Sequence, residues 1–144
     1  MVRAFRPAVA LVAVAAFVGG CSGGAPPGGL LMVPITVRNF AIDAPGSVRA
    51  GPIRFEISGG GPSMHEFNVA RTSYLPDALP LTDGGVVDDL TPHDGFDHLA
   101  EAEGIDIGTK KHLDLNLSPG TYVLYCNMDG HYQAGMSVRL TVTP

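Results

Sequence analysis

An all-β fold, an antiparallel β-sandwich, is predicted by three features of the chain. At least six short runs alternate apolar and polar residues with period two, Gly, Pro and Ser cluster between those runs, and few stretches carry a helical period. Alternation with one apolar face implies sheets covered on one side, and two such sheets bury those faces against each other. From Pro34, Ile35 and Val37 alternate with Thr36 and Arg38. Ile53, Phe55 and Ile57 then alternate with Arg54, Glu56 and Ser58, and His65, Phe67 and Val69 with Glu66 and Asn68. Ala44-Pro-Gly-Ser47 and Ser58-Gly-Gly-Gly-Pro62 supply the turns between them.

Later, Leu113, Leu115 and Leu117 alternate with Asp114 and Asn116, and Ser118-Pro119-Gly120 turns the chain into a run from Thr121 to Cys126. A last run covers Met136 to Val142. Between Thr72 and Thr109 the pattern lapses. That stretch holds nine of the fourteen acidic residues and no Lys or Arg, and reads as a long acidic excursion from the sandwich, functional or mobile. Asp97 to Glu103 suits one or two helical turns.

Residues 1–20 read as an export signal, with Arg3 and Arg6 ahead of an apolar run from Ala8 to Val18. Val18-Gly19-Gly20-Cys21 is similar to a bacterial lipobox, which makes Cys21 a site of lipidation; the alternatives are an ordinary secretory signal or an uncleaved anchor. The run is short for a spanning helix, which needs about 20 apolar residues. Residues 21–30 form a Gly/Pro/Ser tether, and 31–144 suit one domain. Nine basic and fourteen acidic residues leave a formal charge of −5, which becomes −7 once Arg3 and Arg6 leave with the signal. That charge disfavours nucleic acid and anionic membrane surfaces as partners.

With Cys21 lipidated, Cys126 is the one remaining thiol of an exported chain, and is a metal ligand, a reactive thiol or an accident. Its neighbours favour the first. Cys126, His131 and Met136 follow one another with four residues between each, on a loop tied at both ends to strands. Two imidazoles, one thiolate and a weak axial Met form the donor set of blue-copper electron-transfer sites, so one imidazole must come from elsewhere. His65 begins a strand with Phe67 and Val69 on its own face, which puts its ring at the sheet's end on the core side. Standing alone, such a histidine is more often a hydrogen-bonded core residue; the triplet argues for a ligand.

Gly59-Gly-Gly-Pro-Ser-Met-His65-Glu-Phe67 together with Ser118-Pro-Gly-Thr-Tyr-Val-Leu-Tyr-Cys126-Asn-Met-Asp-Gly-His131-Tyr-Gln-Ala-Gly-Met136 resembles the cupredoxin family, with loop spacing similar to its rusticyanin-, auracyanin- and sulfocyanin-like members. The resemblance covers about Leu31 to Pro144. It implies a Greek-key sandwich holding one type 1 copper ion, with His65, Cys126 and His131 as equatorial ligands and Met136 as the axial one. The sequence departs from the pattern twice. Many members carry Asn near Ser58, fastening the ligand loops, and many have Pro where Asp129 stands. Both departures bear on reduction potential more than on metal binding.

The expected function is an electron carrier, not an enzyme, held outside the cytoplasmic membrane by its lipid and acting as a monomer with redox partner proteins. Met128, Tyr132 and Ala134 beside His131 predict an apolar patch through which the imidazole edge exchanges electrons. The alternative is a copper storage or delivery module, against which stands the lack of any Met cluster. Multicopper oxidation is disfavoured because none of the five histidines lies two residues from another. A Cys126 nucleophile with His131 as base would leave His65 and Met136 without a role. His93 and His98, with Asp94 and Asp97 between them, form either a second, labile metal site or part of a solvated acidic loop. His112, beside Lys110 and Lys111, is expected on an exposed strand face.

Overall fold

The structure, a computed structural model, describes residues 29–144. The signal 1–20, Cys21 and most of the tether 21–30 lie outside the described residues. Among the described residues no helix is long and apolar enough to cross a membrane.

Nine strands among these residues form two sheets: β1 (Leu31–Arg38), β2 (Ala41–Asp43), β3 (Ser47–Arg49), β4 (Gly51–Gly59), β5 (His65–Thr72), β6 (Phe96–Ile105), β7 (Lys110–Leu117), β8 (Gly120–Tyr125) and β9 (Ser137–Thr143). The orders are β2-β1-β4-β7 and β3-β9-β8-β5-β6. The expected sandwich is present, with a refinement to its strand directions. β1 runs parallel to β4 and β3 parallel to β9, so both sheets are mixed. After β2 the chain crosses to the other sheet as β3 and returns as β4 beside β1. Alternation reports which face a residue takes and carries no information on strand direction.

The alternating residues meet between the sheets. Val33, Ile35 and Val37 of β1, Ile53, Phe55 and Ile57 of β4, Phe67 and Val69 of β5, Leu124 of β8, and Leu140 and Val142 of β9 belong to one buried cluster. Phe55 and Phe67 join the sheets, their ring centroids 5.4 Å apart and their planes at 58°.

The helical turns expected over Asp97 to Glu103 are instead part of strand β6. Leu, Ala and Glu favour helix, but such preferences are weak beside tertiary context, and here they lose to the free edge of β5, which needs partners for its backbone groups. The excursion is correspondingly shorter: irregular chain runs from 73 to 95, and only the turn 106–109 separates β6 from β7.

Strand pairing carries the two halves of the predicted site to one end of the molecule. β5 and β8 are antiparallel with Asn68 opposite Tyr125, so the start of β5 lies beside the end of β8. Ser137 opens β9 opposite Tyr125, which closes the loop 126–136 over the same end.

Candidate metal centre

His65 and Cys126 are fully buried, His131 is half-buried, and the three present ligand atoms within 4.8 Å of one another. His131 Nδ1 lies 3.3 Å from His65 Nδ1 and 3.4 Å from Cys126 Sγ. A single proton can bridge only one of these pairs, whereas a cation would engage all three lone pairs. His65 Nε2 is buried with no hydrogen-bond partner, so this is not the ordinary core histidine held by hydrogen bonds at both nitrogens.

The loop that presents these groups is closed by its own backbone. The Cys126 N–H donates to the Met136 carbonyl (3.1 Å), Met136 N–H to His131 carbonyl (3.0 Å), and His131 N–H to Met128 carbonyl (2.9 Å). Gly135, at φ 92°, takes the left-handed conformation that lets the chain double back into Met136. Met136 is fully buried and belongs to the same cluster as Cys126. Glu66, next to His65, donates its N–H to Cys126 Sγ at 3.3 Å, and Met128 N–H donates to the same sulfur. Burial pushes the Cys126 thiol pKa up, and these two N–H groups oppose the shift. Burial, and then the neighbouring His131 charge, lower the pKa of His65, with Asp106 acting the other way.

Three fastenings were not legible in the sequence. Asn39, on the β1–β2 turn, accepts the Ser63 N–H at Oδ1 (3.3 Å) and donates from Nδ2 to Ser63 Oγ (3.1 Å), tying down the segment before His65. A Cβ on Gly61 would sit 2.9 Å from Asn39 Oδ1, so a side chain there would displace the fastening. Asn127 holds the excursion, accepting Val87 N–H (2.7 Å) and donating to the Val87 carbonyl (3.1 Å) and Asp89 Oδ2 (3.2 Å). Tyr132 accepts the Leu79 N–H at its hydroxyl, at 2.8 Å.

That last bond corrects the expected surface patch. Tyr132 is 6% exposed, packed with Leu79, Val87 and Tyr125 beneath the excursion, so it cannot be part of a surface beside His131. Phe40 takes its place. It is 51% exposed, at φ 59°, and its ring meets His131 edge-on with centroids 5.5 Å apart. Met128 is half-buried and Ala134 exposed.

The structure also separates the second pair of histidines. His93 Nε2 lies 3.1 Å from Asp88 Oδ2, whereas His98 Nε2 lies 3.2 Å from Asn68 Oδ1, and only His98 joins a further ligand group, with Asp89 and Glu101. His112 is exposed on β7 with Lys110 and Lys111, as expected.

No family model and no curated protein matches the chain. Solved structures do. An auracyanin B structure aligns over 84% of this chain and 94% of its own, with a TM-score of 0.58 and 22% identity. The fold is that of the cupredoxins. Auracyanin A, described as a "blue" copper protein from Chloroflexus aurantiacus, covers 80% of this chain and 100% of its own, with a TM-score of 0.56 and 18% identity. Rusticyanin from Thiobacillus ferrooxidans covers 79% and 77%, with a TM-score of 0.56 and 16% identity. These identities are low enough that the likeness is one of backbone architecture. What this cupredoxin fold can bind follows from its own side chains.

Proposed function

We propose that the chain is a type 1 copper protein that carries single electrons, tethered outside the cytoplasmic membrane through lipid on Cys21. The observation that carries the copper reading is the convergence of His65 Nδ1, His131 Nδ1 and Cys126 Sγ at one buried point, on the fold that auracyanin and rusticyanin share. One thiol with two imidazoles is a donor set suited to copper, and the buried Met136 thioether would add a weak fourth donor. Copper bound there would supply a one-electron couple.

The remaining work belongs to the chain. The backbone bonds across 126–136, and the Asn39 and Asn127 fastenings, hold the donors in place, so little rearranges when the charge at the site changes. The Glu66 and Met128 N–H groups withdraw electron density from the Cys126 sulfur and favour the reduced state. His131 turns Nδ1 inward and is half-exposed, so its ring edge beside Phe40 is the route for electrons to a partner protein. An apolar contact of small footprint fits a transient redox encounter. The Met1–Cys21 sequence alone supports the tether, which would raise the local concentration of a membrane-bound partner.

The test is the visible absorption of the protein titrated with Cu(II), beside Cys126→Ser. The expected result is an intense thiolate-to-copper band that saturates at one equivalent, bleaches reversibly with a mild reductant and is absent from the variant. A colourless protein that takes up only Cu(I) would replace the carrier reading with copper storage or delivery.

A further inference from the structure

The outer face of the five-stranded sheet carries a second convergence of ligands, chemically unlike the first. Asp89, His98 and Glu101 bring one ligand atom each to within 4.8 Å of the others. His98 and Glu101 are three residues apart on β6, and in a regular strand they would point to opposite faces. A β-bulge prevents this. Val69 pairs with Ala100 but Ala70 pairs with His98, leaving Leu99 unmatched, so His98 and Glu101 share the outer face. Bulges that re-aim a side chain are common next to functional sites. Asp89 arrives from the excursion and closes the group from above.

Each of two members is oriented by a neighbour. Asn68 Oδ1 accepts from His98 Nε2, which leaves the lone pair on Nδ1, and Asn127 Nδ2 donates to Asp89 Oδ2. Metal-bound histidines and carboxylates have this kind of outer support. Two buried donors border the group. The Tyr125 hydroxyl and Asn68 Nδ2, both on fully buried side chains, face the carboxylates of Asp89 and Glu66. Asn68 lies directly across from Glu101 on one side and from Tyr125 on the other. The Tyr125 hydroxyl faces Asp89, and its ring packs edge-on against His98 with centroids 6.4 Å apart. The Arg38–Asp43 and Arg54–Asp114 ion pairs lie on the four-stranded sheet and do not neutralise this face.

We propose that Asp89, His98 and Glu101 form a second metal site, for a divalent cation of the zinc class, which pins the excursion to β6. One imidazole with two carboxylates is a borderline donor set. It lacks the thiolate that Cu(I) prefers and the six to eight oxygens that calcium takes. Three protein ligands leave a coordination position open on the half-exposed side, as in zinc sites that exchange a ligand. The Tyr125 hydroxyl then serves as a donor to the ligating Asp89 carboxylate. This site does not depend on the copper assignment.

Titration with Zn2+ tests it, by calorimetry together with amide NMR shifts. The Cys126→Ser/His131→Gln protein, whose first site is removed, is expected to bind one equivalent of Zn2+, shifting amides of Asp89 and of 96–103 and leaving those of 110–117 in place. Adding Glu101→Gln, a substitution on an exposed side chain, or His98→Gln should weaken that equivalent by about tenfold or more. Absence of Zn2+ binding by the first-site variant, or undiminished binding after Glu101→Gln and His98→Gln, would overturn the proposal. Loss of the blue band in the copper titration would leave this result unaffected, so the two readings fail separately.

Discussion

Phe67, Val69 and Leu124 leave one face of the five-stranded sheet and enter the main core, while Asn68, Ala70, Val123 and Tyr125, from the same two strands, leave the other. The inner face is covered by a second sheet. It packs as an apolar solid around Phe55 and Phe67, and at its end sits the buried cluster of His65, Cys126 and His131. The outer face is covered by the irregular chain 73–95, which supplies two buried apolar residues, Leu79 and Val87, and otherwise holds on through Asn127 and Tyr132. One sheet therefore presents a thiol with two imidazoles in a rigid setting at its end, and an imidazole with two carboxylates under a tethered flap on its back.

Truncating the inner face should therefore cost far more. Phe55→Ala is expected to lower unfolding stability by about 3–5 kcal/mol and Leu79→Ala by about 2 kcal/mol, at the low end for a buried leucine, because a flap relaxes around a cavity more readily than two packed sheets. Denaturant unfolding of both variants measures this, and equal losses would break the distinction.

Next in size is Tyr132→Phe, which removes the acceptor of the Leu79 N–H and leaves that donor buried. A loss of about 1–3 kcal/mol is expected. Hydrogen exchange should show the effect confined to the excursion and the loop 126–136; exchange rising equally in β1 and β4 would mean that the flap supports the whole sandwich. Asn127→Ala sharpens the comparison further. Exchange at the Val87 amide should rise about tenfold, the factor that roughly 1.4 kcal/mol makes, because its acceptor is gone. Smallest is Arg54→Ala. The Arg54–Asp114 pair is solvent-facing on the four-stranded sheet, and its loss should leave the unfolding midpoint unchanged.

Much of the first site is legible along the chain, because its three loop residues are close in sequence and His65 announces itself by sharing a face with Phe67 and Val69. Little of the second is. Spacing on β6 places His98 and Glu101 on opposite faces until the bulge at Leu99 is seen, and Asp89 is brought to them only by the folded excursion. Tyr132 drops out of the expected patch for a related reason. Tyr132 is adjacent to His131 in sequence, and adjacency on a loop does not say which residue is covered by a segment some fifty residues earlier; its bond to Leu79 decides that. Phe40, the residue that does meet His131, comes from a turn at the other end of the chain.

What the sequence determined by itself is chemistry and periodicity: an all-β chain, its inward faces, and the identity of one thiol, two imidazoles and one thioether at the ends of strands. These are properties of single residues and of short-range repeats. The tertiary structure alone decided the parallel pairs β1/β4 and β3/β9, the strand made from Phe96–Ile105, the fastening of the site by Asn39 and Asn127, and the faces taken by His98 and Tyr132. Each of these depends on which distant backbone or side chain supplies a missing partner. A hydrogen-bond donor or a free strand edge requires some partner, and its own sequence neighbourhood does not say which.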